Sequence, residues 1–357
     1  MKKTILNNLM EINRYDRSDM LGRIESFPAQ CREAAKIGRD FKAPAGFPAG
    51  YSNIVCAGVG GSAIGADIIR SYISDEARAP LIVNRNYLLP KFVSDKSLVI
   101  ASSYSGNTEE TLSAYDDAKA KGAQVVAITS GGKLEALARK DGFPVIQIPG
   151  GLPPRCALGY SFFPALELLS SLGFIGKKAG EIGEAIETMG RLKEEKLGHV
   201  IISGKNPAKT IAESIHQKYP IVYVSQHIDC VATRWRGQLA ENAKTLSSTH
   251  LFPEMNHNEI VGWENPKRLL KDLVAIILRD AGDSPRIMKR MDITRKIISK
   301  KKVKVIEVNS TGRGLLARIF SLIYIGDFVS FYLAMLNGCD PTPVARIDYL
   351  KKELAKA

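Results

Sequence analysis

The sequence predicts an α/β protein of two domains, each with a mainly parallel sheet sandwiched by helices. Short apolar runs alternate with helical patterns from residue 53 onward, which is typical of parallel strands joined by helices. The first five runs are almost continuously apolar, as strands buried on both faces must be. At 357 residues the chain is too long for one average domain and suits two of about 150 residues each.

The first series of elements extends from residue 53 to residue 148. Strands are predicted at 53–59, 81–84, 97–102, 125–129 and 145–148. Helices are predicted between them at 62–74, 108–121 and 133–140. Ahead of this series, the amphipathic stretch 20–41 is predicted to pack as a helix against the first domain.

Two longer helical patterns, 161–172 and 181–197, separate this series from a second one. Strands are then predicted at 200–203, 221–225, 245–252, 274–278 and 303–308. Helices are predicted at 207–217, 238–242, 265–270 and 284–298, followed by a last amphipathic helix at 315–336. The same βα plan is thus used twice. We expect an N-terminal domain at 1–180 and a C-terminal domain at 181–357.

The net charge of +13 favours an anionic partner, which can be a nucleic acid, a lipid surface or a phosphorylated small molecule. The densest basic run, 286–304, has the pattern of a solvated helix face and loop, so we expect no nucleic-acid partner. No run of about 18 apolar residues and no signal-peptide core is evident, so we expect no membrane partner.

The cysteines favour a reducing compartment. There are five of them, an odd number without any Cys-x-x-Cys pair, which argues against disulfides and against a zinc site. We therefore expect a cytoplasmic protein with reduced thiols and no bound metal.

A glycine-rich segment, Gly58-Val59-Gly60-Gly61-Ser62, stands where the first strand ends and a helix begins. Glycines let the backbone approach a ligand closely, and the free N–H groups of a helix start favour an anion such as a phosphate. The segment also partly matches the dinucleotide fingerprint, but Arg85 stands near the position where that fingerprint needs an acidic residue. Because an arginine there could bind the 2′-phosphate of NADP, binding of NADP remains an alternative.

A second segment, 102–111, follows another strand and is rich in hydroxyl side chains. Ser103, Ser105 and Thr108 surround Gly106, so several O–H and N–H groups can converge on one tetrahedral anion without a lysine. Simple helix capping is the alternative interpretation, but one hydroxyl would be enough for it.

These two segments resemble the sugar isomerase (SIS) family, whose loops bind the phosphate of sugar phosphates. Segments 150–159, 236–244 and 252–259 resemble, more narrowly, the bifunctional phosphoglucose/phosphomannose isomerases. The resemblance implies two SIS-type domains and an aldose–ketose isomerase acting on a sugar phosphate. It also implies a homodimer without a cofactor or metal, in which glucose 6-phosphate and mannose 6-phosphate are interconverted with fructose 6-phosphate.

The resemblance assigns roles to residues of this chain. Glu241 is the base that moves the proton, His257 assists ring opening from the neighbouring subunit, and Arg155 stabilises the enediolate. Lys351 serves ring opening as well, although the adjacent Lys352 leaves this assignment ambiguous by one position. The residues expected to bind the substrate phosphate are Gly61, Ser62, Ser103, Ser105 and Thr108.

Two other functions remain open from the sequence. A regulator that binds sugar phosphates would keep both loops but would need no proton-transfer group. The isomerase half of a glucosamine-6-phosphate synthase is the second, but the chain lacks an N-terminal cysteine nucleophile and a glutaminase-length extension.

Overall fold

The computed structural model describes residues 5–44, 47, 50–354 and 356. The chain forms two compact units, each built around its own parallel sheet. The five-stranded unit comprises Ser26–Thr188 and Gly312–Ala317. The four-stranded unit comprises the residues up to Glu25, Met189–Thr311 and the residues from Arg318 onward. The predicted α/β class is confirmed, whereas the domain boundary expected at residue 180 stays a prediction.

The five-stranded unit has the strand order β2-β1-β3-β4-β5, with every pair parallel. Its strands are β1 Asn53–Ala57, β2 Leu81–Asn84, β3 Ser97–Ser102, β4 Gln124–Thr129 and β5 Val145–Gln147. The central strands are rich in Val and Ile, whose branched side chains favour the extended backbone. All six residues of β3 are buried, as expected for a strand covered by helices on both faces.

Helices connect these strands and cover the sheet. The first eight helices of the chain are α1 Leu9–Tyr15, α2 Met20–Glu25, α3 Phe27–Asp40, α4 Gly61–Tyr72, α5 Glu109–Ala120, α6 Gly132–Lys140, α7 Leu158–Ser171 and α8 Ala179–Leu192. The predicted N-terminal helix is therefore divided in two, because α2 ends at Glu25 and α3 begins at Phe27. Helix α3 packs against α7 and brings a distant part of the sequence to the site described below.

The four-stranded unit has the order β7-β6-β8-β9, again with every pair parallel. Its strands are β6 Tyr219–Ser225, β7 Ser248–Phe252, β8 Leu273–Arg279 and β9 Lys304–Asn309. The remaining helices are α9 Pro207–Ile215, α10 Asp229–Glu241, α11 Lys267–Leu270, α12 Pro285–Lys300, α13 Leu315–Leu336 and α14 Ala345–Leu354. The order of its strands repeats that of β2-β1-β3-β4, so the prediction of one plan used twice agrees with both sheets.

One predicted strand, 200–203, is wrong, because this stretch forms turns. The Asn206 side chain donates to the carbonyls of Leu197 and Gly198 at 2.8 and 3.2 Å and caps α9 by accepting from Lys209 N–H. These bonds fold the backbone back before α9. Val200 and Ile202, the apolar residues that suggested a strand, are 72% and 57% exposed.

Two predicted helices also differ from the structure. The helix expected at 238–242 is the end of α10, which begins at Asp229. Helix α13 has the predicted bounds but is apolar on all sides rather than amphipathic. Contrary to the sequence expectation, its length and composition would allow a membrane span, but 94% of its most apolar window is buried inside the protein. Core helices of water-soluble proteins have the same properties.

Candidate active site

The glycine-rich and hydroxyl-rich segments lie side by side at one edge of the five-stranded sheet. They follow β1 and β3, which are adjacent parallel strands with Ala57 paired to Ala101. The strand order reverses direction between these two strands, and ligands of open α/β sheets bind in the crevice at such a point. We call residues 58–62 and 103–108 the β1/β3 crevice.

Glycine is required on the β1 side of the β1/β3 crevice. Gly60 has a φ of 56°, in the left-handed region that side chains disfavour. A Cβ on Gly58 would lie 2.8 Å from the Ser102 carbonyl oxygen, so the two segments can approach only without a side chain there. The buried Ser62 hydroxyl accepts a hydrogen bond from Tyr104 N–H at 3.3 Å and joins the two segments.

The β3 side presents hydroxyls at the start of α5. The Ser103 and Thr108 hydroxyl oxygens are 2.8 Å apart, and Ser103 is 1% exposed. The Ser105 hydroxyl accepts from Asn107 N–H at 3.3 Å and belongs to an exposed residue. Hydroxyl side chains from the starts of two helices thus lie close together, an arrangement that suits an oxyanion.

Arg155 lies at the same edge. It is on a short 3₁₀ turn, Pro154–Cys156, and is 3% exposed. A Cβ on Gly61 would be 2.5 Å from the Pro154 carbonyl oxygen, which shows how closely this turn packs on the start of α4. Ser161 strengthens the contact, because its hydroxyl donates to the Gly61 carbonyl at 3.0 Å.

The turn that carries Arg155 is also held by Gln30 of α3. The Gln30 side chain donates to the Cys156 carbonyl at 2.7 Å and accepts from Gly159 N–H at 2.9 Å. The sequence did not identify Gln30, because no local pattern links residues that lie 126 positions apart. Five predicted phosphate-binding residues and Arg155 are therefore brought to one edge of this unit.

The dinucleotide alternative depends on Arg85. In the structure this guanidinium forms an ion pair with Asp67 of α4. The Arg85 charge is therefore already balanced within the unit.

In the four-stranded unit, Glu241 is the last residue of α10. The Lys244 ammonium donates to the Glu241 backbone carbonyl at 2.5 Å and to the carbonyls of Pro341 and Pro343 at 3.2 and 2.7 Å. Lys244 thus joins the end of α10 to the segment that leads into α14. Lys351 and Lys352 are both exposed on α14, so the structure does not decide between them.

His257 lies in a different part of the same unit. It ends a 3₁₀ turn, Glu254–His257, which follows the carboxyl end of β7, and its side chain is exposed. Helix α10 packs on β6 and β7 and returns from the carboxyl end of β6 to the amino end of β7. Its 13 residues span about 20 Å. Within one chain, Glu241 and His257 therefore lie near opposite ends of this sheet.

The edge of the four-stranded sheet that corresponds to the β1/β3 crevice is filled by carboxylates. Asp280, after β8, accepts from Arg318 Nε at 2.7 Å and from the Ser310 hydroxyl at 2.9 Å, and its Oδ2 lies 3.2 Å from His227 Nε2. Burial raises the pKa of Asp280, but the bonds from His227 and Arg318 outweigh it and lower the pKa to about 2. Burial raises the pKa of the neighbouring Asp283. The carboxylates of Asp280 and Asp283 thus occupy the position that corresponds to the β1/β3 crevice.

Across the described parts of the chain, no group of three His, Cys, Asp or Glu side chains has an arrangement that would hold a metal ion. All five cysteines are free thiols.

Comparison with known proteins gives consistent matches along the chain. The model of the bacterial phospho-glucose isomerase C-terminal SIS domain matches residues 204–354. A bifunctional phosphoglucose/phosphomannose isomerase of Caldicellulosiruptor bescii is 47% identical over 338 residues, which cover 94% of this chain and 99% of that protein. A protein of the same name from Aquifex aeolicus is 38% identical and covers 86% of this chain and 91% of its own length.

Solved structures share the fold at low sequence identity. A hypothetical protein from Thermus thermophilus has a TM-score of 0.74 at 15% identity, over 99% of this chain and 94% of that one. A putative phosphosugar isomerase from Clostridium difficile 630 has a TM-score of 0.68 at 14% identity, over 91% and 95%. These similarities concern the fold alone.

Proposed function

The chain belongs to the family of bifunctional phosphoglucose/phosphomannose isomerases, and we propose which of its residues perform each step of the reaction. The resemblance found in the sequence is confirmed, and the chain is an aldose–ketose isomerase of sugar phosphates. It interconverts fructose 6-phosphate with glucose 6-phosphate and mannose 6-phosphate.

The substrate phosphate binds in the β1/β3 crevice. This assignment rests on the Ser62, Ser103 and Thr108 hydroxyls, which lie together with two helix starts at one sheet edge. Gly61 and Ser105 complete the set through backbone and hydroxyl groups. Neutral donors of this kind bind a dianion without forming an internal ion pair that the phosphate would have to break.

Proton transfer is assigned to Glu241. Its carboxylate removes a proton from C1 of fructose 6-phosphate and returns it to C2, so that a cis-enediol forms between the two steps. The C2 carbonyl oxygen gains negative charge as C1 loses its proton. Arg155, buried beside the phosphate loops, supplies the cation that stabilises this charge. Return of the proton to one face of C2 gives the glucose epimer, and return to the other gives the mannose epimer.

His257 and Lys351 assist ring opening, and His257 does so in the site of a second copy of the chain. The positions of Glu241 and His257 support a homodimer, since two groups near opposite ends of one sheet cannot reach the same sugar carbon atoms from one chain. A twofold dimer brings each residue of one copy to its counterpart in the other. The free cysteines support a cytoplasmic location.

A coupled assay with fructose 6-phosphate in excess EDTA tests this function. Glucose 6-phosphate and mannose 6-phosphate are followed separately with purified full-length protein. We expect both products, because each catalytic role above is filled by a side chain. A folded protein that forms neither product would overturn the proposal.

A further inference from the structure

The loop that carries His257 is fixed on both sides of an exposed side chain. Met255 is 1% exposed in the core of the four-stranded unit, and Asn256 donates to the Thr294 hydroxyl of α12 at 2.9 Å. By contrast, no described residue forms a hydrogen bond or ion pair with the His257 side chain. The imidazole is thus presented to solvent on a backbone that is anchored immediately before it.

On the other side, Glu259 anchors the loop to two strands. The Tyr223 hydroxyl of β6 donates to one Glu259 oxygen, and His250 Nδ1 of β7 lies 2.5 Å from the other. Tyr223 and His250 are direct neighbours across the two strands. One carboxylate therefore connects the loop to the paired strands of the sheet.

The contact between Tyr223 and Glu259 is shielded from water. Tyr223 is completely buried, and the Glu259 side chain is 23% exposed. Burial and then the Glu259 carboxylate raise the pKa of Tyr223, so its hydroxyl remains protonated and able to donate. A carboxylate removed from water needs such a donor, and loss of the Tyr223 hydroxyl would leave a poorly solvated charge, because the Glu259 oxygen beside His250 accepts no hydrogen bond from the described residues.

The single residue between His257 and Glu259 is also held. The Asn258 side-chain oxygen accepts from Glu259 N–H at 2.6 Å, and its amide group donates to Glu254 at 2.7 Å. Residues 255, 256, 258 and 259 are thus held by packing or by hydrogen bonds, whereas the His257 side chain between them is exposed. Restraint of this kind reduces the entropy lost when the imidazole engages a substrate.

We propose that Glu259, held by Tyr223 and His250, is a positioning residue that fixes His257 for ring opening in the site of a second copy. The inference rests on the proposed role of His257. In ring opening of fructose 6-phosphate the C2–O5 bond breaks, the ring oxygen gains a proton and the anomeric hydroxyl loses one. Because the proton moves between two oxygens on one carbon, a displaced imidazole slows the step even when the substrate is bound.

A double-mutant cycle on kcat tests the proposal. Glu259→Gln keeps the shape of the side chain but removes its charge, and we expect kcat to fall about tenfold with KM changed less than about twofold. His257→Asn lowers kcat as well. In the double variant, Glu259→Gln has no further effect, because the residue it positions is already absent. Glu264→Gln is the matched control. This exposed carboxylate pairs with Lys301 in the same region, and its substitution should leave kcat unchanged.

Independent, multiplying effects of the two substitutions would overturn the proposal, because a general loss of structure reduces activity whether or not His257 is present. Full activity of Glu259→Gln would overturn it too. If Glu259→Gln fails to fold, Tyr223→Phe removes one donor and keeps the ring, and the same cycle applies with a smaller loss. A fully active His257→Asn would overturn the positioning role but leave the isomerase assignment intact. Lack of isomerase activity in the wild-type protein would instead overturn the proposed function.

Discussion

At the scale of single residues, we propose that proton transfer depends on Glu241. Glu241→Gln keeps the size and hydrogen-bonding capacity of the side chain but removes the base. We expect kcat to fall by about 10³- to 10⁴-fold, since a positioned general base contributes about that much, while KM changes little. Steady-state kinetics with fructose 6-phosphate measure both constants.

The matched control for this variant is Glu195→Gln, which alters an exposed glutamate of the same unit outside the site. It should retain wild-type kcat. If Glu241→Gln also retains wild-type kcat, the base is a different residue.

A substitution at Ser103 tests the proposed phosphate site. Its hydroxyl is buried beside Thr108, so Ser103→Ala removes a donor from the β1/β3 crevice without adding volume. We expect the KM for fructose 6-phosphate and the inhibition constant of inorganic phosphate to rise about tenfold together, because a hydrogen bond to a charged group contributes about that factor. Ser170→Ala, which removes a hydroxyl bonded to the Gly176 carbonyl, is the control. Unchanged phosphate inhibition in Ser103→Ala would place the phosphate elsewhere.

At the scale of elements, the cluster at the carboxyl edge of β6 and β8 makes stability depend on pH. The hydrogen bond to Asp280 is the largest cause that raises the pKa of His227 above 6.5, and the charge of Asp283 adds to it. A raised pKa means that the stabilisation is fully present below about pH 6.5 and is lost as the pH rises through the higher folded-state pKa. This cluster therefore favours the folded state at slightly acidic pH.

The corresponding measurement is Tm between about pH 6 and pH 8. Wild-type Tm should fall over this interval more steeply than that of His227→Gln, which has no titrating imidazole. His216→Gln is the control, because His216 contacts Gln217 rather than a carboxylate and should keep the wild-type slope. Equal slopes for wild type and His227→Gln would show that this pair does not contribute.

The elements that the sequence predicted well are those specified by local composition. Strands such as β3 consist of consecutive apolar residues, and the glycine and hydroxyl segments that follow β1 and β3 need no distant information. The stretch 200–203 was wrongly predicted because its apolar residues are exposed and Asn206 holds the surrounding backbone in turns. The burial of α13 on all sides depends on contacts from residues far away in the chain, and a helical period alone does not reveal it.

The candidate site shows the same division. The residues proposed to bind the phosphate come from two short segments, in which glycines and hydroxyl side chains coincide with helix starts. The supports of Arg155 and His257 were not identified, since Gln30 lies 126 positions from Cys156 and Glu259 depends on strands β6 and β7. The residues proposed to touch substrate thus have a local sequence pattern, whereas the residues that hold them in place do not.

At the scale of the whole molecule, we propose that each active site combines residues of two copies. Glu241 and His257 lie near opposite ends of one sheet, so a site that uses both would take Glu241 from one chain and His257 from the other. A dimer of one Glu241→Gln chain and one His257→Asn chain then contains one site with both residues intact and one site that lacks both.

Mixing the two impaired variants under conditions of subunit exchange tests whether each site uses residues of two chains. We expect recovery of about a quarter of wild-type activity, because half of the randomly formed dimers are hybrids and each has one intact site. Size-exclusion chromatography of the same mixture verifies that dimers have formed. Activity that stays at the average of the two separate variants would rule out a site shared between two chains, because it would mean that both residues act within one chain.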